Sequence, residues 1–466
     1  MAVYASKMLE NNKFMNRILT RNVGRGIAAS EIMASAIKAV DPYQCIFDHV
    51  RVESGVLKFG KHQVDLAAFE RVFLIGFGKA SVPMAKGLLD LLGEKIVYAK
   101  VITKDRSFLP NDGDLQNLRV LLGGHPVPSK ESIESTRLLL KDVSQLSSKD
   151  LVLVVISGGG SALFTSPRAE ITLEDMQQLT TALLIIGANI TEINTLRKHL
   201  DQVKGGGLAA WLHPASICTF VLSDVIGDAL DMIASGPTVS DPTTFQDAMN
   251  VISKYDLFDK VPVSILQCLE EGVNGKIPET LKPGSLPEEL LKSHLVGTNI
   301  QSAMAAKETA ESLGYNALII TSHLTGRTDR VAEFIAAILQ TLSVYDHPIS
   351  KPACLILGGE TTVEVVGNGL GGRNQDLALH MVKKIAGLKD VLFIALATDG
   401  EDGPTDAAGA VCDGLVFEGA LNEMGLKIET FIENNDAYHY FERVGGLIKT
   451  GSTGTNVNDL IIILVD

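Results

Sequence analysis

The sequence predicts an α/β protein of two Rossmann-like domains with mostly parallel sheets. Three observations carry that prediction. Short apolar, β-branched runs recur along the 466 residues, and most do not alternate with polar residues. Strands buried on both faces of a parallel sheet read this way. Helix-period segments lie between the runs, and alternating β and α points to helices on both faces of a sheet. Finally, the runs end in loops of small, polar or charged residues, and ligands of open α/β sheets bind at the carboxyl ends of strands.

In order, the strand runs are Val72–Ile75, Lys100–Ile102, Arg119–Leu122, Leu151–Ile156, Ile217–Leu222 and Leu295–Val296. Then come Ala317–Thr321, Ala353–Leu357, Val391–Ala397 and Leu460–Val465. The intervening helical patterns are Ala28–Val40, Ser81–Leu92, Glu131–Leu146, Leu173–Ile186, Ile300–Leu313 and Asp329–Val344. Residues 251–293 hold Pro262, Pro278, Pro283 and Pro287 and show the weakest pattern. They read as a connection between an N-terminal domain, 1–250, and a C-terminal one, 294–466. The N-terminal helices could pack on either.

Hydrophobic residues make up 46% and charged residues 21%, enough to build large cores. The net charge of −14 lacks the basic footprint of a nucleic-acid binder and disfavours anionic membranes. An anionic substrate must then be held by local positive charge. The five cysteines are far apart and form no C-x-x-C, which fits buried thiols in a reducing compartment. No apolar run approaches the ~20 residues of a membrane helix, and no secretory signal core is visible. The first 25 residues carry Lys7, Lys13, Arg17, Arg21 and Arg25 against Glu10. The expected location is cytoplasmic, with a mitochondrial transit peptide left open. A homodimer is compatible with the sequence.

Six loops collect the chemistry. Ser157-Gly158-Gly159-Gly160-Ser161 follows a strand and precedes a helical pattern. Consecutive glycines let backbone N–H groups approach a phosphate or carboxylate, and a helix N-terminus would add positive charge. The plain alternative is a tight turn without ligand. Gly76–Ser81 places Lys79 at a helix start, where it opposes the helix dipole unless an anion compensates. It is not a Walker A loop, which needs G-x-x-x-x-G-K-[ST]. His125, between Gly124 and Pro126, is either a cleft contact or a structural histidine. Asn194 to His199 and Lys204 to Gly207 form a basic, glycine-rich block that suits an anion or a solvated helix end.

Among strand-end carboxylates, Asp224, Glu360 and Asp399 are best placed to hold Mg²⁺, which takes oxygen ligands. Capping of helices and loops competes with that reading. Gly367-Asn368-Gly369-Leu370-Gly371-Gly372 is a literal G-x-G-x-x-G between a strand-like Thr361–Val366 and a helical Asp376–Ile385. The next strand end, at Asp399, lies farther on than the usual ~20 residues to the ribose-binding acid. A nicotinamide-dependent 2-hydroxy-acid dehydrogenase therefore stays as an alternative. So do phosphotransfer to another small hydroxy acid and a non-catalytic sugar-acid sensor. Arg373 and Asn374, beside those glycines at a helix start, suit a phosphate or carboxylate. No G-x-S-x-G or H-E-x-x-H occurs. Cys354 reads as part of a strand and Cys412 as a helix start, so neither suits a nucleophile.

The loops resemble those of class II glycerate kinases, whose C-terminal portion is the MOFRL domain. Matching segments include Gly76–Ala80, Gly124–Pro128, Ser157–Leu163, Asn194–Leu200, Ser223–Asp228, Ser235–Thr238, Gly358–Thr362, Gly372–Gln375 and Thr398–Gly400. The resemblance implies two α/β domains with the active site in the interdomain cleft. It implies ATP-dependent phosphorylation of D-glycerate to 2-phosphoglycerate, with ATP and Mg²⁺. Lys79 and Arg373 fall on the family's active-site lysine and arginine, with Asp224 as the expected base. Ser157, Gly158, Gly159, Gly160, Ser161, Asn194, Arg197, His125 and Asn374 are the expected substrate or phosphate contacts. The loop Thr325–Asp329 departs from the pattern, because no glutamate follows its glycine before Glu333.

Overall fold

The computed structural model describes residues 14–106, 117–388 and 390–466. Lys7, Glu10 and Lys13 of the basic N-terminal segment lie outside the described residues. The chain divides into two compact units. One spans Pro42–Val296, and the other joins the residues up to Asp41 to Gly297–Asp466. These limits differ from the boundaries expected at 250 and 294. The N-terminal helices belong with the C-terminal unit, and residues 251–293 fold into the first unit.

In the Pro42–Val296 unit, β1 (Val50–Glu53), β2 (Val56–Phe59) and β3 (His62–Asp65) form a small antiparallel sheet, which the sequence reading missed. The main sheet holds β4 (Arg71–Phe77), β5 (Ile96–Thr103), β6 (Arg119–Leu122), β7 (Asp150–Ile156), β8 (Ser216–Leu222) and β9 (Leu291–Gly297). Their order is β6-β5-β4-β7-β8-β9. The pairs β4–β5, β5–β6, β4–β7 and β7–β8 are parallel. Every residue of β7 is buried, as its unbroken apolar run requires. The chain builds outward from β4 through β5 to β6, then returns to β7 on the other side of β4. The gap between β4 and β7 is therefore the topological switch point, where ligands of such sheets bind. The expected connector is largely helical, with Phe245–Lys254 and Val263–Val273. Ile252, Leu257, Ile265 and Leu269 pack there with Leu179, Leu183, Leu196 and Leu200.

The second unit contains β10 (Asn316–Arg327), β11 (Ala353–Thr362), β12 (Val391–Ala397), β13 (Gly409–Asp413), β14 (Leu447–Ile448) and β15 (Asp459–Val465), in the order β10-β11-β15-β12-β13-β14. The α/β class holds, but this sheet is mixed: β10–β11 is parallel, and the other pairs are antiparallel. Burial explains why the sequence did not reveal the difference. β12 and β15 are buried along their whole length, so neither alternates. Cys412 lies within β13 rather than at a helix start. Helix Val23–Lys38 buries Ile32, Met33, Ala36 and Ile37 in this unit's core, beside Ala303 and Ala306 of helix Asn299–Ser312.

Candidate active site

The carboxyl ends of the parallel sheet line up His125 after β6, Lys104 after β5, Lys79 after β4, Ser157–Gly160 after β7 and Asp224 after β8. At the switch point the two central loops are tied together. Gly78 has φ +124, and a Cβ there would lie 2.2 Å from Ser157 Oγ. Only glycine admits that approach. Ala80 N–H donates to Ser157 Oγ at 2.9 Å, and Lys79 N–H to Gly158 O at 2.9 Å. Ser157 is thus buried and occupied by structure rather than offered to a ligand.

Gly159 turns with φ +82. A Cβ on it would lie 2.8 Å from the His125 ring and 3.4 Å from Lys79 Cγ, so both side chains close over this turn. The N–H groups of Gly158 and Gly159 have no acceptor among the described residues. The following helix, Gly160–Leu163, is only four residues long. The helix-dipole contribution expected from the sequence is correspondingly small, and the positive charge comes from side chains. Burial first, then Lys79 and Lys104, push the His125 imidazole down to about 4. His125 is therefore neutral at pH 7, in a cationic neighbourhood that favours an anion.

The basic block separates into different roles. Helix Ile190–Leu200 starts at a capping box made by Asn189 and Glu192. Lys198 is buried between Asp231 at 3.1 Å and Asp241 at 3.4 Å. His199 is buried against Thr195 O at 2.8 Å and Glu279 at 3.2 Å. Lys204 Nζ donates to Ser161 O at 2.9 Å and Phe164 O at 2.8 Å, bracing the turn. Arg197 has no hydrogen-bond or ion-pair partner among the described residues, and burial lowers its pKa. A half-buried guanidinium near the buried Lys204 charge has the chemistry to take an anion. Asn194 is buried, and its Oδ1 accepts from Ser235 Oγ at 3.0 Å, so it is engaged within the protein.

In the second unit Arg373 opens helix Arg373–Lys384. Its guanidinium forks onto Asp459 at 2.6 and 3.1 Å and also donates to the half-exposed Glu360. The antiparallel register sets Gly359 opposite Asp459, which is how Glu360 and Asp459 come to share one arginine. Burial pushes the Asp459 carboxyl up to about 7, with Arg373 opposing the shift. Asp402 occupies the helix N-terminus, accepting from the N–H groups of Asn374 at 3.1 Å and Gln375 at 2.8 Å. The Asn374 side chain also donates to Asp402, at 3.2 Å. Asn374 is buried and spent on Asp402, so the ligand role expected for it is not presented. Asp399 caps its own loop by accepting from Glu401 N–H at 3.0 Å.

The literal G-x-G-x-x-G is not a phosphate loop. Its N–H groups at Gly367, Asn368, Gly369 and Leu370 donate to Asn435, Asn434 and Asp436. A Cβ on Gly367 would lie 2.3 Å from Asn434 O, so the glycines serve loop packing. Asp224 belongs to one unit, and Glu360 and Asp399 to the other. Among the described residues, no group of three His, Cys, Asp or Glu is placed to hold a metal. Mg²⁺ often binds through one or two carboxylates plus substrate phosphates. The half-buried Asp224 fits that mode, whereas Glu360 is taken by Arg373. Sequence reasoning missed Lys104 and Asp459, because only sheet order and register bring them to these sites; Ser235 stands in a matching segment but was given no role.

Residues 28–270 match a family described as a domain of unknown function, DUF4147, and residues 353–459 match the MOFRL family. The chain is 42% identical to the D-glycerate 2-kinase of Thermotoga maritima, over 94% of this chain and 97% of that one. It is 39% identical to the glycerate 2-kinase of Pyrococcus horikoshii, over 93% and 96%. It is 32% identical to the glycerate kinase of Homo sapiens, over 94% and 92%. A crystal structure of the Thermotoga maritima glycerate kinase superposes with a TM-score of 0.82 at 40% identity, covering 96% of this chain and 100% of that one. A Pyrococcus horikoshii protein does so at 0.78 and 38%, covering 94% and 98%.

Proposed function

From the premise that the chain belongs to the glycerate kinase family, with a C-terminal MOFRL region, we propose that it transfers a phosphoryl group from ATP to D-glycerate, giving 2-phosphoglycerate. One observation carries the reading in this chain's own residues. Lys79, Lys104, His125 and two open glycine N–H groups gather at the switch point of the parallel sheet. Phosphoryl transfer needs positioning and charge neutralisation more than covalent chemistry, and this is the equipment for both.

In this proposal the Gly158 and Gly159 N–H groups and Lys79 hold the transferring phosphoryl. Neutral His125 donates a hydrogen bond to it. Arg197 takes the glycerate carboxylate as the partner it lacks within the chain. Asp224 accepts the proton of the attacking hydroxyl and lies where Mg²⁺ carried by the nucleotide would be held. Mg²⁺ would neutralise charge on the ATP oxygens. In the other unit, Arg373 keeps an exposed partner, Glu360, while Asp459 holds its guanidinium in place, an arrangement suited to an anion. The five buried cysteines support a reducing compartment. Among the described residues, no helix is long and apolar enough to cross a membrane.

The test is ADP release from Mg-ATP in the presence of D-glycerate, with L-glycerate and no-acceptor controls. NMR of the product then reports which hydroxyl was phosphorylated. Release that requires D-glycerate and a 2-phosphate product support the reading. Release with another hydroxy acid alone would retain phosphotransfer and discard the substrate. Replacing Lys79 by Ala should lower kcat by ~10²-fold or more with the fold intact.

A further inference from the structure

We infer that Ser235 is a positioning residue that holds the Gly158–Gly160 turn in register with the helix carrying Arg197. This rests on the function proposed above, which places phosphoryl and carboxylate at those two elements.

Ala234, Ser235 and Gly236 have φ of 50°, 61° and 63°, three consecutive residues in the left-handed region. Two of them carry side chains that resist this conformation, so the surroundings must impose it. Those surroundings are specific. The Ala234 methyl sits 2.8 Å from where a Cβ on Gly160 would lie, which explains why the third residue of the turn is glycine. Ser235 O and Gly236 O accept from Gly205 N–H at 2.9 Å and Gly206 N–H at 2.7 Å. Ser235 is fully buried. Its hydroxyl donates to Asn194 Oδ1 at 3.0 Å, which uses its only proton. The contact with Ser161 Oγ at 2.9 Å must therefore run the other way, with Ser161 donating.

The result is a directed chain, Ser161 to Ser235 to Asn194. Ser161 immediately follows the glycine turn, and Asn194 lies one helical turn before Arg197 on the same helix. Glycine would adopt this backbone with less strain than serine does. What serine adds is the hydroxyl, and that hydroxyl bridges the two elements that must hold the reacting groups at a fixed separation. Errors of about 1 Å in such a separation cost about 10²-fold in rate.

Ser235→Gly distinguishes positioning from support of the fold, because it removes the hydroxyl while relieving the backbone. The expected result is a chain that folds, with a Tm lowered by no more than the lost hydrogen bonds account for. At the same time kcat/KM for D-glycerate should fall ~10-fold or more, chiefly through KM for glycerate, and KM for ATP should move less than ~2-fold. Ser161→Ala should cost a similar factor, and the double variant should lose little beyond the larger single loss, because both act through one chain. Ser235→Gly with wild-type kcat/KM would overturn the inference. So would losses that simply multiply in the double variant, or a Ser235→Gly chain that no longer folds. If the wild-type protein turns over no D-glycerate, the proposed function fails first and this inference with it.

Discussion

Arg197 and Arg373 show how the same residue type near a helix end can have opposite energetics. Arg197 is half-buried without a partner among the described residues, and its charge raises the cost of the buried Lys204 nearby. Arg373 is bidentate to a buried carboxylate. Arg197→Ala should therefore raise KM for D-glycerate by ~10²-fold while leaving Tm unchanged or higher, since it removes an uncompensated charge. Arg373→Ala should lower stability by ~1–3 kcal/mol, because Asp459 loses a bidentate donor and must keep its proton in a buried site. Thermal and denaturant unfolding of the two variants, read beside their kinetics, checks both outcomes. A stable, inactive Arg373→Ala would show that Asp459 tolerates the loss by staying protonated. From the sequence the two arginines looked alike. Their difference lies in which carboxylates arrive from distant strands.

At the scale of elements, several helices were legible from their periodicity, but their caps were not read: Ser129, Thr172, Asn189 and Thr244 each close a capping box with the residue three positions on. The glycine turn after β7 was legible as a turn, but its source of positive charge was not, because the four-residue helix and the lysines of neighbouring strands are matters of sheet order. That arrangement has a pH signature. His125 moves from an ordinary 6.5 to about 4 on folding. Between those values the unfolded chain binds a proton that the folded chain refuses, so this group's contribution to stability is lost as pH falls through that window. His125→Gln should make the stability profile shallower there. Asp459 acts with the opposite sign. It holds its proton to about 7 instead of 3.8, so its contribution is lost as pH rises through that window. A phosphate at Gly158 and Gly159 should pull the His125 pKa upward, since an anion favours imidazolium. An NMR titration of the His125 ring with and without inorganic phosphate checks this, and an unmoved pKa would place the anion elsewhere.

For the whole molecule, the division into units follows packing rather than chain order. Helix Val23–Lys38 completes a core built by residues after Gly297. Met33→Ala, at a fully buried position, should cost ~2–5 kcal/mol and lower the stability of that unit. It should leave the local environment of Trp211, the chain's single tryptophan, in the other unit unchanged. Differential unfolding followed by circular dichroism and by Trp211 fluorescence would reveal the separation, and coincident losses would argue for one cooperative block. The sequence by itself determined the α/β class, the strands of the parallel sheet, several of its helices, and the glycine-rich strand ends at which Lys79 and Gly158–Gly160 stand. It could do so because apolar runs and glycines act over a few residues, and those local energies are written in order along the chain. Only the tertiary structure decided that the second sheet is mixed and that residues 251–293 belong to a core. It alone showed that the literal G-x-G-x-x-G packs on Asn434 and that Asp402 closes the helix at Arg373. Those outcomes depend on strand order, on the register of β11 with β15, and on which distant carboxylate satisfies a buried donor. Buried strands carry no alternation that would specify direction, so non-local contacts settle what local chemistry leaves equal.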